Sequence, residues 1–312
     1  MNAHPPIAGS DHHHDEFERS MNYEEQRFRC DDNNIGTLRE TYPDGLHFVV
    51  GDVHGEAETL KALLEKIRFD PSKDHVYFVG DYNAGGYPTM LLSYIAGHYQ
   101  ADYDVPGFHL IRGNHERELC PEYPLANLPD IIVWRGRQLN YCLSHAGMVS
   151  EALRLIADDI RRDDRITHAY RLDESCAGYD APLRQIVWSR RGLYSQRGQF
   201  HVWPSESQLS DARFCIIHGH TPYCFMKYGG SHYYYGDRCL FWENQRVLFS
   251  EDLQSFDIDS NIKGHFQNGE CYRGLSCLCL EVLEETAAAC GGRLTLDGIR
   301  RSRNGVFSVG YV

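Results

Sequence analysis

An apolar run that closes on glycine and a metal-capable side chain recurs along this chain, and no other feature restricts its fold as tightly. The run His47-Phe48-Val49-Val50 ends in Gly51-Asp52-Val53-His54-Gly55. Such a run bounded by glycines reads as a buried β-strand. Residues two apart on an extended backbone point the same way, so Asp52 and His54 can aim at one point. A carboxylate and an imidazole converging at a strand end make half of a metal site. The run His75-Val76-Tyr77-Phe78-Val79 closes on Gly80-Asp81, and Phe108-His109-Leu110-Ile111 leads into Arg112-Gly113-Asn114-His115-Glu116. Asp81 follows Asp52 by 29 positions and Asn114 follows Asp81 by 33, the length of a strand–helix–strand unit of roughly 30 residues. Their ends should therefore lie side by side along one edge of a parallel sheet, where open α/β sheets place their sites. His145 then follows the strand-like Leu139–Leu143, and His218-Gly219-His220-Thr221-Pro222 follows Phe214–Ile217. Five strand ends carry such residues.

Between these points the pattern alternates. Glu56 to Ile67 has Leu60, Leu63, Leu64 and Ile67 at helical spacing, which predicts an amphipathic crossover helix. Met90, Leu91, Tyr94 and Ile95 mark a second, Glu116 to Cys120 a short third, and Ser150 to Arg162 a fourth with Ser150 as N-cap. Past His220 the segments 231–235, 246–250, 255–259 and 274–283 read as short strands. Residues 293–296 and 306–311 read as a hairpin across Asp297-Gly298. Alternating helices and strands followed by mostly strands predict an α/β fold with two sheets packed face to face and helices outside. Residues 1–36, polar and rich in His and Asp, read as a tail or loose cap, leaving 37–312 as the folded domain. His12-His13-His14 fits a solvated tail better than a metal site.

Composition narrows the setting. The chain of 312 residues is 42% hydrophobic, enough for one sizeable core. No stretch approaches the ~18 apolar residues of a membrane span, and the N-terminus has neither the basic start nor the apolar segment of a secretory signal. A cytoplasmic protein is expected. The eleven cysteines lack a framework spacing, and Cys142, Cys215, Cys277 and Cys279 lie in apolar runs, as reduced core cysteines do. A formal charge of −13 argues against nucleic acid as a partner. An anionic substrate would need positive charge supplied by the site itself.

In order, the five blocks resemble the phosphoprotein phosphatase family of binuclear calcineurin-like metallophosphoesterases, from about His47 to Asp259. That family carries Gly-Asp-x-His-Gly, Gly-Asp-x-x-Asp-Arg-Gly, Gly-Asn-His-Glu, a His before a small residue and Gly, and Gly-His-Thr. The details are most similar to its small bacterial and phage branch, including Val187-Trp188-Ser189-Arg190. The resemblance implies an αββα sandwich of two mixed β-sheets flanked by helices. It assigns one metal to Asp52, His54 and Asp81, and a second to Asp81, Asn114, His145 and His220, with Asp81 bridging. Oxygen and nitrogen donors together suit Mn²⁺ first, then Fe or Zn²⁺. The family attacks phosphate directly with a metal-bridging water. His115 would be the general acid, and Arg190 with Asn114 would grip the phosphate, Arg191 and Arg197 being the neighbouring candidates. His218 is assigned a packing role, and Glu116 the place of a first-turn helix carboxylate.

The second block departs from the family. Gly80-Asp81-Tyr82-Asn83-Ala84-Gly85-Gly86 has Ala84 in place of the Asp that orients the acid histidine and Gly85 in place of a phosphate-gripping Arg. Diadenosine tetraphosphate hydrolases of the superfamily share the Ala but keep the Arg. A histidine without its carboxylate is less well held, which suits leaving groups that need little protonation. The expected activity is hydrolysis of a phosphorylated protein (Ser/Thr or Tyr) or a small phosphate ester. The alternatives are a dinucleoside polyphosphate hydrolase and a non-catalytic protein that binds a phosphorylated partner.

Overall fold

The computed structural model describes residues 34–82, 107–119, 128–148, 156–159, 162, 167–171, 213–220, 240–242, 247–249, 255–260, 262 and 273–312. Helix α1 (Asn34–Thr41) opens the described chain and straddles the boundary expected at residue 36 between tail and domain. Strand β1 (His47–Val50), helix α2 (Ala57–Lys66), β2 (His75–Phe78) and β3 (Phe108–Leu110) follow the predicted order. Helix α2 buries Thr59, Leu60, Leu63 and Leu64, the apolar stripe that its spacing announces. Helix α3 (Asn114–Leu119) begins at the Asn of Gly-Asn-His-Glu. Next come β4 (Ile131–Arg135), β5 (Asn140–Ser144), β6 (Thr167–Tyr170), β7 (Phe214–His218), β8 (Leu240–Trp242), β9 (Val247–Phe249) and β10 (Ser255–Asp257). The chain closes with β11 (Gly274–Cys279), α4 (Leu280–Ala289), α5 (Leu296–Arg301) and β12 (Val306–Gly310).

The strands form two mixed sheets, ordered β12-β11-β1-β2-β3 and β6-β4-β5-β7-β10-β9-β8. In the first, β1, β2 and β3 are parallel and β11 runs antiparallel to β1. In the second, β5, β7 and β10 are parallel. One hydrophobic cluster takes in both, with Val49, Tyr77 and Val79 from one sheet and Ile132, Leu143 and Ile217 from the other. The five metal-capable strand ends are therefore divided, three on one sheet and two on the other. The ends of β1, β2 and β3, expected along one parallel edge, do share one sheet, and those of β5 and β7 belong to the other.

Two expectations near the C-terminus are corrected. The apolar stretch 274–283 is a strand only to Cys279, after which α4 begins. A short buried run looks alike in either state. Here Leu280, Leu283 and Ala287 are buried at helical spacing, on a segment rich in Glu and Ala. The expected hairpin across Asp297-Gly298 is α5, where the Thr295 side chain accepts from the Gly298 amide and caps the helix. Strand β12 pairs instead with β11, Val306 opposite Leu278. Strands β4, β6 and β8 carried no strand prediction. Cys142, Cys215, Cys277 and Cys279 are buried free thiols, as expected. Among the described residues no helix is long and apolar enough to cross a membrane.

Candidate metal centre

Every expected ligand lies just past a strand or at a helix start, and all are buried: Asp52, His54, Asp81, Asn114, His145 and His220. Backbone bonds draw the loops together. The His54 amide donates to the Asp81 carbonyl at 2.7 Å, and the Gly219 amide to the His145 carbonyl at 2.8 Å. The His220 amide meets both Asp52 carboxylate oxygens, at 3.2 and 3.0 Å, tying the two sheets together at the site. The His115 amide donates to Asp81 Oδ1 at 3.0 Å. His54, Asp81 and His220 adopt positive φ, 50°, 53° and 73°. For residues with a Cβ this conformation costs ~1–3 kcal/mol each and persists only where surroundings enforce it. Two glycines allow the approach: a Cβ on Gly219 would collide with the Asp52 carboxylate, and one on Gly113 with Asp81.

Two groups of ligand atoms gather around Asp81. His54, Asp81 and His115 form one, and Asp81, His145 and His220 the other. His54 Nε2 is 3.8 Å from Asp52 Oδ2 and 3.8 Å from Asp81 Oδ2. On the other side His145 Nε2 is 3.4 Å from Asp81 Oδ1, 2.8 Å from Asn114 Oδ1 and 3.1 Å from His220 Nδ1. Donor chemistry tests whether a cation fits there. His145 Nδ1 lies 2.8 Å from the Val79 carbonyl, which can only accept, so Nδ1 carries the hydrogen. Burial pushes the ring down to about 4, so at neutral pH Nε2 presents a lone pair. It faces a carboxylate oxygen, an amide oxygen and a second imidazole. A lone pair set against two acceptor oxygens suits a metal ion, and the residues fit one on each side of Asp81.

Burial and the nearby carboxylates of Asp259 and Asp81 raise Asp52 well above the usual carboxylate range. Asp257-Ile258-Asp259 at the end of β10 repeats the two-apart pattern of Asp52 and His54, and Asp257 and Asp259 are buried too. The sequence reading passed over that signal. It also undervalued Glu116. Its buried carboxylate accepts amides from Gly113 at 2.9 Å, Asp81 at 2.8 Å and Tyr82 at 2.8 Å, clamping the β2 and β3 loops. The Tyr82 hydroxyl adds a bond to the Ile111 carbonyl at 2.7 Å. His218 lies outside both ligand groups, with Nε2 3.2 Å from Ser255 Oγ. Arg190, Arg191, Arg197, Ala84 and Gly85 lie outside the described residues, as do the triple histidine and the strand expected at 231–235.

Among curated proteins, the symmetrical bis(5'-nucleosyl)-tetraphosphatase of Methylococcus capsulatus is 34% identical over 118 residues, 32% of this chain and 42% of that protein. Its namesake from Serratia proteamaculans is 29% identical over 129 residues, 33% of this chain and 44% of that one. The chain thus spans less than half the length of these relatives. Solved structures with a similar course include a protein serine/threonine phosphatase from Saccharomyces cerevisiae, 16% identical with a TM-score of 0.46, covering 79% of this chain and 80% of that one. A cold-active protein-tyrosine phosphatase of a psychrophilic Shewanella is 19% identical with a TM-score of 0.43, covering 76% and 77%. Residues 48–266, from the second residue of β1 to past Asp259, match the calcineurin-like phosphoesterases as a family. With that match across most of its length, the chain belongs to the calcineurin-like phosphoesterase family.

Proposed function

We propose that this protein is a metal-dependent phosphatase acting on phosphomonoesters, with a phosphorylated protein or small phosphate ester as substrate. The observation that carries the reading is the position of the Asp81 carboxylate between two ligand groups, one oxygen 3.8 Å from His54 Nε2 and the other 3.4 Å from His145 Nε2. Asp52, His54 and Asp81 would hold one divalent ion, and Asp81, Asn114, His145 and His220 a second, Mn²⁺ being the best match and Fe or Zn²⁺ compatible. Such a pair supplies Lewis acidity and an acidified water for in-line attack. The chain's residues do the rest. His115 has the most exposed side chain of the group, 21%, with Nε2 3.7 Å from Asp81 Oδ2. From that open side it can hand a proton to the leaving oxygen. Its backbone amide donates to Asp81 Oδ1, joining the acid to the carboxylate that would be shared by the two ions. Arg190, by resemblance, and Asn114 would grip the phosphate.

A second reading, a dinucleoside polyphosphate hydrolase, is favoured by the names of the Methylococcus and Serratia relatives and by Ala84. A phosphoanhydride leaving group asks little of His115.

The test is a panel on the Mn²⁺-loaded protein: phosphoserine and phosphotyrosine peptides, an aryl phosphate and diadenosine tetraphosphate. Turnover of the monoesters supports the first reading, and marked preference for the dinucleotide selects the second. Turnover of none would leave a binding protein. Asp81→Asn should abolish activity and lower bound metal while circular dichroism stays unchanged; full activity with two metals retained would refute the cage. His115→Asn should cost about 10²-fold or more on phosphoserine and much less on the aryl phosphate. Equal losses would remove His115 from the acid's role.

A further inference from the structure

The strands that end at the metal centre begin at a second, differently built cavity. His47 opens β1 and His75 opens β2, so five or six residues of extended chain, roughly 15–20 Å, separate them from Asp52 and Asp81. The cavity there measures about 730 Å³ and lies between the starts of these strands, helix α4 and the β4–β5 turn. Its floor is a ladder of flat rings. His47 stacks on His75 with centroids 4.8 Å apart, His75 on His109 at 5.1 Å, and His109 on Tyr77 at 4.5 Å. Trp134 meets His47 across the sandwich at 4.4 Å.

The charges around it are unequally spent. Glu281, Glu284 and Glu285 share one face of α4, and every carboxylate oxygen there is already engaged. Glu281 holds the His47 amide at 2.9 Å and its Nδ1 at 2.6 Å. Glu284 accepts from the Gln138 and Leu139 amides and the Tyr141 hydroxyl. Glu285 takes the Tyr42 hydroxyl at 2.7 Å and Arg303 at 3.0 Å. Arg137, by contrast, is exposed in the lining and makes no ion pair among the described residues. Among the described residues His47 and His75 hydrogen-bond through ring Nδ1 and show no bond at Nε2.

We propose that this cavity is a second ligand site, separate from the metal centre, for a planar heteroaromatic molecule carrying an acidic group. Its volume lies within the usual range for small-molecule sites, which are mostly apolar with a few placed polar groups. Ring edges along the ladder can meet a flat heterocycle, the imidazole Nε2 atoms can hydrogen-bond to it, and Arg137 supplies a charge with no ion pair among the described residues. Mononucleotides and aromatic carboxylic acids share this chemistry.

Binding of AMP, UMP and nicotinate to the Mn²⁺-loaded full chain tests it, by calorimetry, with adenosine and inorganic phosphate as single-feature controls. Saturable binding of at least one ring-bearing acid, tighter than adenosine or phosphate, is expected. Preference for the nucleotides or for nicotinate identifies the source. Arg137→Glu should weaken that binding about tenfold, the loss of one charge-assisted contact. Ala288→Trp, on the exposed cavity side of α4, should block the space and abolish binding, and both variants should keep phosphatase turnover. No saturable binding of any ring-bearing acid at millimolar concentration would overturn the proposal. Binding unchanged in both variants would do the same, since it would locate the ligand elsewhere, the metal centre included.

Discussion

Glu116 does more for the site than any non-ligand beside it. One carboxylate in the first turn of α3 collects three amides from two loops. Burial and the Asp81 carboxylate push it up to about 8, against those three bonds pulling down. A single acidic residue therefore holds Asp81 and Gly113 in register, at an electrostatic cost that bound cations would relieve. His218 states the opposite economy. Burial pushes it down to about 4 from the usual 6.5. An unfolded chain protonates this ring as pH falls below about 6.5, whereas the folded one waits until about 4. Its contribution is thus present above pH 6.5, lost as pH falls toward 4, and constant below. Raised carboxylates such as Asp257 act with the other sign, so the ring must be isolated by difference. Wild type minus His218→Gln stability, from urea midpoints, should fall by up to about 1.4 kcal/mol per pH unit across that window. A difference that is flat between pH 7 and 4 would rule this out.

At the scale of elements, local chemistry outvoted pattern near the C-terminus. Asp297-Gly298 carries the composition of a hairpin turn, yet Thr295 caps a helix there and Asp297 sits in its first turn. Thr295→Ala should lower stability by about 1 kcal/mol, read in chemical denaturation, and leave metal binding intact because α5 packs on α4. A loss of metal affinity would contradict that independence. Helix α4 has the wider task. Glu281 and Glu284 bond to β1 and to the β4–β5 turn, so one helix face joins the starts of both sheets. Periodicity over 274–283 did not reveal it, because a buried strand and the first turn of a buried helix are equally apolar.

For the molecule as a whole, the two sheets must be held at one spacing if five loops are to meet. Arg112 follows β3 and Asp130 precedes β4, and the two form a fully buried ion pair, Nε to Oδ1 2.9 Å and Nη2 to Oδ1 2.8 Å. The Arg112 amide also donates to the Pro129 carbonyl at 2.8 Å. Asp130→Asn should cost about 3–5 kcal/mol, because a buried guanidinium loses the charge of one carboxylate partner. A clear fall in melting temperature, with weaker Mn²⁺ binding two residues away at Asn114, is expected; an unchanged melt would refute the pair's role as a strut. By itself the sequence determined which metal-capable residues stand at strand ends and in what order, since side-chain direction and strand length are local properties. It also carried the two-sheet architecture, through the change from alternating to strand-rich segments. Division of the five ends between two facing sheets, the Glu116 clamp, the Arg112–Asp130 strut and the ring-lined cavity were decided only by tertiary structure. Each depends on groups brought together from distant parts of the chain, and no local spacing encodes which of them meet.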